Sequence, residues 1–278
     1  MDILQAIIVG IVQGLTEFLP VSSSAHLIFI QKALGLQSTG IAFDVLLHLG
    51  TLIAVVWYFR ADIYKMLIAW WHSIGDILQH RFREGWNADP YKRLAWYVIF
   101  ATIPVGIVGV LFESQVTALF KGSLYVPAFF LFVTGTILFL SQRVNQGKVD
   151  FKSLTAKEAL IMGLGQACAI LPGLSRSGTT IAAGLAVNLE KKLAAKFSFI
   201  LSIPAILGAT LVQAKDITMA MDANFLAITL GFIAAVISGY FAIKWLLDLI
   251  QNKSLDVFAY YCWIIGIIVF MGSITGLF

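Results

Sequence analysis

Charge is what this chain has least of. Only 12% of its 278 residues are Asp, Glu, Lys or Arg, about half the share carried by soluble globular domains, while 59% are hydrophobic. That excludes a water-soluble globule and points to a polytopic membrane protein. Cysteine is scarce as well. Cys168 and Cys262 each lie inside an apolar run, which leaves no disulfide framework and no thiolate metal site. Basic clusters interleaved with aromatics are missing, so the net charge of +4 implies no nucleic-acid partner and is to be read through loop placement. The N-terminus has neither a basic n-region nor a small-residue cleavage site, so residues 3–19 are expected to be retained structure rather than a signal peptide.

What is present is a succession of apolar runs. Residues 3–19 form a helical run that stops at Pro20, and Val21-Ser22-Ser23-Ser24-Ala25-His26 leads into a second run ending near Gly35. That second run, about 12 residues or roughly 18 Å of helix, is too short for a hydrocarbon core of about 30 Å, so the pair is expected to form a re-entrant hairpin. Residues 41–59 are long enough to span. From Tyr64 to Arg83 the positions Met66, Trp70, Ile74, Ile77 and Leu78 recur at helical spacing among polar residues, as in a helix lying in the interface. Two spans follow, residues 94–112, with a kink expected at Pro104, and residues 124–141. Beyond a polar linker the order resumes with a run from Glu158 to Leu171, a break at Pro172 to Gly178, a short run to Leu189, and spans at 197–214, 224–249 and 257–277.

Each half therefore reads as one hairpin and three spans, and the halves share residues. At an offset of 153, Gly10 and Gln13 match Gly163 and Gln166; at an offset of 152, Leu19, Pro20 and Ser23 match Leu171, Pro172 and Ser175. Such repeats are a recognised build of membrane carriers. Basic residues concentrate in three loops: Lys65, Arg81, Arg83, Lys92 and Arg93; then Arg143, Lys148, Lys152 and Lys157; then Lys191, Lys192 and Lys196. Only Lys32, Lys121 and Lys215 face the other way. The rich side is cytoplasmic by the positive-inside rule. An odd number of spans per half inverts the second repeat. The expected fold is thus an all-α polytopic membrane protein, a single membrane domain over 1–278 with an inverted repeat: repeat one 1–141, linker 142–157, repeat two 158–278. The first hairpin would enter from outside and the second from the cytoplasm, their tips meeting near the midplane.

The ionisable groups inside apolar runs gather at these tips. Gln13 and Glu17 are spaced i, i+4 and share a helix face, offering oxygens to a hard divalent cation such as Mg²⁺ or Ca²⁺. The alternative for Glu17 is a structural bridge to Arg176. Ser23 and His26, at i, i+3, suit a nucleophile and its base. For Ser22, Ser23 and Ser24 the plainer role is helix N-capping. Asp44 and His48, also i, i+4, lack hydroxyl or glycine neighbours and are expected to serve as polar packing or a cavity lining.

Leu171 to Thr180 is the most specific stretch. An Arg at membrane depth costs about 2.5–3.5 kcal/mol even on the lenient insertion scale. A Gly-rich turn opening a helix offers converging N–H groups and a positive dipole end, an anion site. Arg176 supplies a planar fork, Ser175, Ser177, Thr179 and Thr180 supply hydroxyls, and Gly173 and Gly178 permit close backbone approach.

With these residues in view, Gln13-Gly14-Leu15-Thr16-Glu17-Phe18-Leu19-Pro20-Val21-Ser22-Ser23, the nearby His26 and Pro172-Gly173-Leu174-Ser175-Arg176-Ser177-Gly178, the chain resembles the undecaprenyl-diphosphate phosphatase family of bacitracin-resistance membrane phosphatases over essentially its whole length. The resemblance implies removal of the terminal phosphate from a C55 polyprenyl diphosphate at the outer, periplasmic face of the bacterial plasma membrane. This regenerates the lipid carrier for peptidoglycan synthesis. Bacitracin acts by sequestering that substrate. It implies catalytic roles for Glu17, Ser23, His26 and Arg176, with Gln13, Ser22, Ser175, Ser177, Gly178, Thr179 and Thr180 binding the diphosphate and a divalent cation on Glu17. Some relatives carry glutamate where this chain has Gln13, and a neutral amide there weakens any scheme with two carboxylates on one metal. A homodimer is compatible with the sequence. A polyprenyl-phosphate flippase is the alternative function, since broken helices in inverted repeats are a carrier architecture. A purely structural membrane subunit gives no reason for the Ser-Arg-Ser tip.

Overall fold

The structure, a computed structural model, describes residues 1–36, 41–121, 124–144, 147–213 and 225–275. The expected outer-side Lys215, and span residues 214, 224, 276 and 277, lie outside the described residues. The chain is all-helical: α1 (Ile3–Phe18), α2 (Ser23–Ala33), α3 (Ile41–Tyr58), α4 (Arg60–Leu78), α5 (Phe82–Ala88), α6 (Pro90–Leu111) and α7 (Glu113–Lys121) are followed by α8 (Tyr125–Ser141), α9 (Ala156–Cys168), α10 (Arg176–Ala186), α11 (Lys191–Val212), α12 (Phe225–Asn252) and α13 (Asp256–Ile274). No strand forms among the described residues, only an isolated parallel bridge between Val149 and Leu189.

Four helices, α6, α11, α12 and α13, are long and apolar enough to cross a membrane, and α3 with α4 makes a fifth candidate that bends by 81° at Phe59. The bend falls where the apolar run gives way to Arg60, Asp62 and Lys65, so α4 departs from the direction of α3 and carries the amphipathic pattern expected of an interface helix. The expected span at 124–141 is shorter than drawn. As α8 it has 17 residues, about 25 Å, at the lower end of what a bilayer requires. Pro104 sits inside α6 without ending it. The interface helix expected to run to Arg83 ends at Leu78, and neither the short α5 that follows it nor the short α7 after α6 was expected. Outward-facing side chains are apolar, with Val110 72% and Leu211 75% exposed, as expected of a surface solvated by lipid tails. The protein is a multi-pass membrane protein.

Local chemistry sets the hairpin starts. Asp2 and Gln5 form a reciprocal capping box on α1, and Thr155 and Glu158 form another on α9, each satisfying orphan N–H groups of a first turn. Helix approach then depends on two missing side chains. A Cβ at Gly10 would stand 2.1 Å from the carbonyl oxygen of Gly231 on α12, and one at Gly163 would stand 2.3 Å from that of Ala101 on α6. Gly10→Ala and Gly163→Ala are each expected to destabilise by about 1–3 kcal/mol, the usual cost of overpacking. A thermal-unfolding series in detergent checks this against Gly208→Ala, where nothing lies within 4 Å and no shift is expected.

The basic side is tied together by ion pairs and hydrogen bonds. Lys196 Nζ is 2.6 Å from Asp62 Oδ1, which also accepts from Tyr91 Oη at 3.0 Å. Lys92 pairs with Asp76. Arg93 Nη2 donates to the Lys152 carbonyl at 2.8 Å, and Arg143 bridges to Asp256 at 2.8 Å. In the linker the Ser153 hydroxyl and the backbone N–H groups of Ser153 and Lys152 donate to Asp150 and hold its carboxyl below the usual range. Above this belt the core is aromatic and aliphatic. Phe18 meets Phe199 edge-on at 5.4 Å, and Phe59 packs on Phe199 at 6.2 Å. Phe18 thereby fixes the end of α1 one residue after Glu17.

Candidate active site

Two breaks in the helical ladder build the site. α1 ends because Pro20 has no N–H to continue it, and the chain turns through Ser22, a non-glycine residue at φ 69°. α9 ends at Cys168, and the chain turns at Gly173, whose φ of 96° favours glycine. A Cβ there would also stand 2.3 Å from the Pro127 carbonyl oxygen. Thr134 of α8 holds this second turn, donating its hydroxyl to the Gly173 carbonyl and accepting from the Ser175 N–H, both at 3.0 Å.

The two turns meet, and Glu17 is the junction. Its Oε1 accepts from Arg176 Nη2 at 2.7 Å; its Oε2 accepts from Ser23 Oγ at 2.7 Å and from Gln13 Nε2 at 3.0 Å. Glu17 and Arg176 are largely buried, with side chains 6% and 16% exposed. The bridge weighed as the alternative for Glu17 is therefore present, and it neutralises the arginine. Arg176 Nη1 also donates to the Ser198 carbonyl at 3.3 Å.

His48 joins from α3, with Nε2 3.6 Å from Glu17 Oε2 and Nδ1 donating to the Asp44 carbonyl at 2.7 Å. Asp44 in turn accepts from Gln31 at 2.7 Å. His48, expected as polar packing or a cavity lining, thus stands within ion-pair distance of the buried carboxylate. The i, i+4 pair was visible in the sequence; what it faced, from another helix, was not.

The structure does not join His26 to Ser23. Ser23 donates to Glu17, while His26 is occupied at both nitrogens, by the Ser22 carbonyl and by Tyr261 Oη, each at 2.8 Å. The physical reason is the turn at Ser22, which aims its own carbonyl at the imidazole. Nor does a serine hydroxyl cap α2. Ser22 stands at the N-cap position without a side-chain cap, its hydroxyl 3.2 Å from that of Ser24, and the Ser24 hydroxyl accepts from the Gly173 N–H at 3.3 Å.

Most hydroxyls of the second tip face inward. Ser175 caps α10, accepting from the Gly178 N–H at 3.1 Å; Ser177 donates to the Leu19 carbonyl at 3.1 Å and so clasps the two turns. Thr180 donates to the Arg176 carbonyl at 2.7 Å and lies 2.5 Å from Ser198 Oγ. Thr179 Oγ1 is buried with no partner among the described residues. The backbone N–H groups of Arg176 and Ser177, in the open first turn of α10, likewise have none. An anion is thus offered two amides and a helix dipole, beside an Arg176 fork that Glu17 and the Ser198 carbonyl already engage.

A metal has less prepared for it. No three of His, Cys, Asp and Glu come together as a metal site among the described residues. Because a carboxylate only accepts, Gln13 must turn its NH₂ to Glu17, and its Oε1 is left buried with no partner among the described residues. One carboxylate and one amide oxygen fit a hard cation only where phosphate and water oxygens complete the shell of six or more.

The family model described as bacitracin resistance protein BacA matches residues 6–268. A Methanobrevibacter smithii protein named undecaprenyl-diphosphatase is 75% identical over 278 residues, all of both chains. Proteins of the same name from Methanosphaera stadtmanae and Halothermothrix orenii are 46% identical over 277 residues, 99% of each chain, and 41% identical over 280 residues, all of each chain.

Proposed function

Since this chain belongs to the BacA family of bacitracin resistance proteins, we propose that it is an undecaprenyl-diphosphatase. As such it is an acid-anhydride hydrolase that removes the terminal phosphate of undecaprenyl diphosphate, returns the lipid carrier to cell-wall synthesis and confers bacitracin resistance. The carrying observation is the buried Glu17, which gathers Arg176 from one hairpin and Ser23 from the other.

In this reading the terminal phosphate docks at the first turn of α10, and Arg176 exchanges Glu17 for phosphate oxygens, which its planar fork suits. Glu17 Oε2, already the acceptor of the Ser23 proton, takes that proton as Ser23 Oγ bonds to the terminal phosphorus. The bond from phosphorus to the bridging oxygen breaks and undecaprenyl phosphate leaves. Water then attacks the phosphoserine, the bond from phosphorus to Ser23 Oγ breaks as Glu17 returns its proton to that oxygen, and inorganic phosphate leaves with the protons of the water. Position and charge supply the catalysis. His26, held between the Ser22 carbonyl and Tyr261 Oη, is the remaining acid/base group of the site. Ser22, Ser175, Ser177, Gly178 and Thr180 shape the cradle, and Thr179 Oγ1 is its unclaimed hydroxyl.

The Glu17–Arg176 pair has no net charge, whereas a diphosphate carries several negative ones. Glu17 and Gln13 are the residues that would hold a divalent cation, and such an ion would supply that charge compensation. Phosphate release by the purified protein from undecaprenyl diphosphate is expected to stop on chelation and to return with Mg²⁺ or Ca²⁺. Full turnover in chelator would exclude the ion.

The halves form inverted repeats with two re-entrant hairpins. Supporting this, the capping boxes at Asp2 and Thr155 stand in the same 153-residue register as Gly10 and Gly163. Packing is also reciprocal: α1 lies on α12 and α9 on α6, while α3 meets α11 and α8 meets α13. The concentration of basic residues supports a cytoplasmic belt; that the site opens to the outer side and takes the prenyl tail from the bilayer rests on the family resemblance. The same reciprocal packing favours a second reading, lipid translocation.

His48→Leu is expected to lower kcat/KM about tenfold by loosening Glu17, while His48→Gln, whose amide can reach the place of Nε2, keeps most of the rate. Steady-state phosphate release on the two variants checks it.

A further inference from the structure

Tyr261 lies on α13, 235 positions from His26, yet the two rings stack with centroids 5.6 Å apart and planes 9° apart. They also share the 2.8 Å contact between His26 Nε2 and Tyr261 Oη. The other ring nitrogen, Nδ1, is 2.8 Å from the Ser22 carbonyl oxygen. A carbonyl can only accept, so Nδ1 carries a proton. In the neutral imidazole Nε2 then holds the lone pair, and the tyrosine hydroxyl donates to it.

The backbone is committed to this arrangement. Ser22 adopts φ 69° and ψ 93°, a sparsely populated conformation that costs of order 1–3 kcal/mol for a residue with a Cβ. The turn directs the Ser22 carbonyl to both the His26 N–H, at 3.2 Å, and Nδ1. A half-buried imidazole held along one edge by main chain and at its far nitrogen by the hydroxyl of an offset, near-parallel aromatic ring has little freedom to flip or change tautomer.

We infer that Tyr261 is the positioning residue of His26. Its ring and hydroxyl hold the imidazole as the Nδ1–H tautomer and reserve Nε2 as the atom that meets substrate. A protonated phosphate oxygen or a water that donates to Nε2 takes the place of the tyrosine hydroxyl, so the histidine is presented already aimed and in one protonation pattern. This inference rests on His26 acting as an acid/base group in the proposed phosphatase.

The test uses the full chain in nanodiscs with ¹⁵N-labelled histidine, the His26 signals being assigned by their loss in His26→Gln. In the unsubstituted protein a pyrrole-type Nδ1 and a pyridine-type Nε2 shifted by a hydrogen bond are expected. Tyr261→Phe keeps the stack and loses the hydroxyl. Its Nε2 signal is expected to move to the position of an unbonded pyridine-type nitrogen, and kcat on undecaprenyl diphosphate to fall about 10- to 100-fold, part of what a general acid or base contributes, with KM changed less than about twofold. In a His26→Gln background Tyr261→Phe is expected to cost nothing more. An unmoved Nε2 signal, an unchanged kcat, or a full further loss in the His26→Gln background would each overturn the assignment. Should the unsubstituted protein release no phosphate, the functional reading fails, while the Nε2 signals still decide whether Tyr261 holds His26.

Discussion

Arg176→Ala is expected to reduce phosphate release by at least about 10²- to 10³-fold, the cost of removing one preorganised donor from a developing charge. It is also expected to destabilise the fold, because it strands the Glu17 carboxylate in a buried place. Breaking a buried pair from one side costs about 3–5 kcal/mol, and Glu17 keeps only Ser23 and Gln13 as direct donors once the 2.7 Å contact to Arg176 is gone. Loss of activity alone would therefore be ambiguous. The double variant Glu17→Gln/Arg176→Met removes both charges at similar volume and is expected to regain most of the wild-type unfolding temperature while staying inactive. Arg176→Lys keeps the charge without the bidentate fork and is expected to fold and remain strongly impaired. Thermal unfolding of the four proteins, read beside their turnover, separates the bridge's part in the fold from the arginine's part in the reaction. Turnover at the wild-type rate by Arg176→Ala would remove the arginine from the site.

Ser23→Ala is the second large effect and has the opposite stability profile. Only one donor to Glu17 Oε2 is lost, and Gln13 and Arg176 still satisfy the carboxylate, so the unfolding free energy should fall by about 1 kcal/mol. Activity should fall by on the order of 10³-fold or more, as when a group acting together with its base is removed. Rapid acid quench of turnover on terminally ³²P-labelled lipid is expected to leave label on Ser23 in the wild type and none in the alanine variant. Label-free quench with an active Ser23→Ala would make water the nucleophile and Ser23 dispensable.

The sequence exposed the candidate residues of the site because ionisable groups are so rare within its apolar runs. Glu17, Ser23, His26 and Arg176 stand out against apolar runs, and Pro20 and Pro172 mark the turns that carry them. What it could not expose is where each hydroxyl points. Ser175, Ser177 and Thr180 look like phosphate ligands by type, yet the structure uses them to cap α10 and to clasp Leu19 and Ser198, because an open first turn and a neighbouring backbone compete for the same hydroxyls. Partners supplied by distant helices were also hidden. Thr134 sits in a run of phenylalanine, leucine and valine, Tyr261 beside Tyr260 in the last span, and neither carries a spacing that marks it. The Ser23–His26 pairing failed for a backbone reason, the positive φ at Ser22, which no pattern of side chains announces in a serine triplet. The helix borders followed the apolar runs apart from the bend at Phe59, the end of α4 at Leu78 with a separate α5 where one helix to Arg83 was expected, the unforeseen α7, and the start of α11 at Lys191 rather than at 197.

Hydrolysis at the Glu17–Ser23–Arg176 junction is tested most directly by following phosphate release and lipid translocation together. The measurement is made on the purified wild-type protein in liposomes containing undecaprenyl diphosphate and divalent cation. One inorganic phosphate per lipid consumed, with release by Ser23→Ala lower by on the order of 10³-fold or more at equal folded amount, is the predicted result. Movement of polyprenyl phosphate across the bilayer by a wild-type protein that releases no phosphate would contradict it.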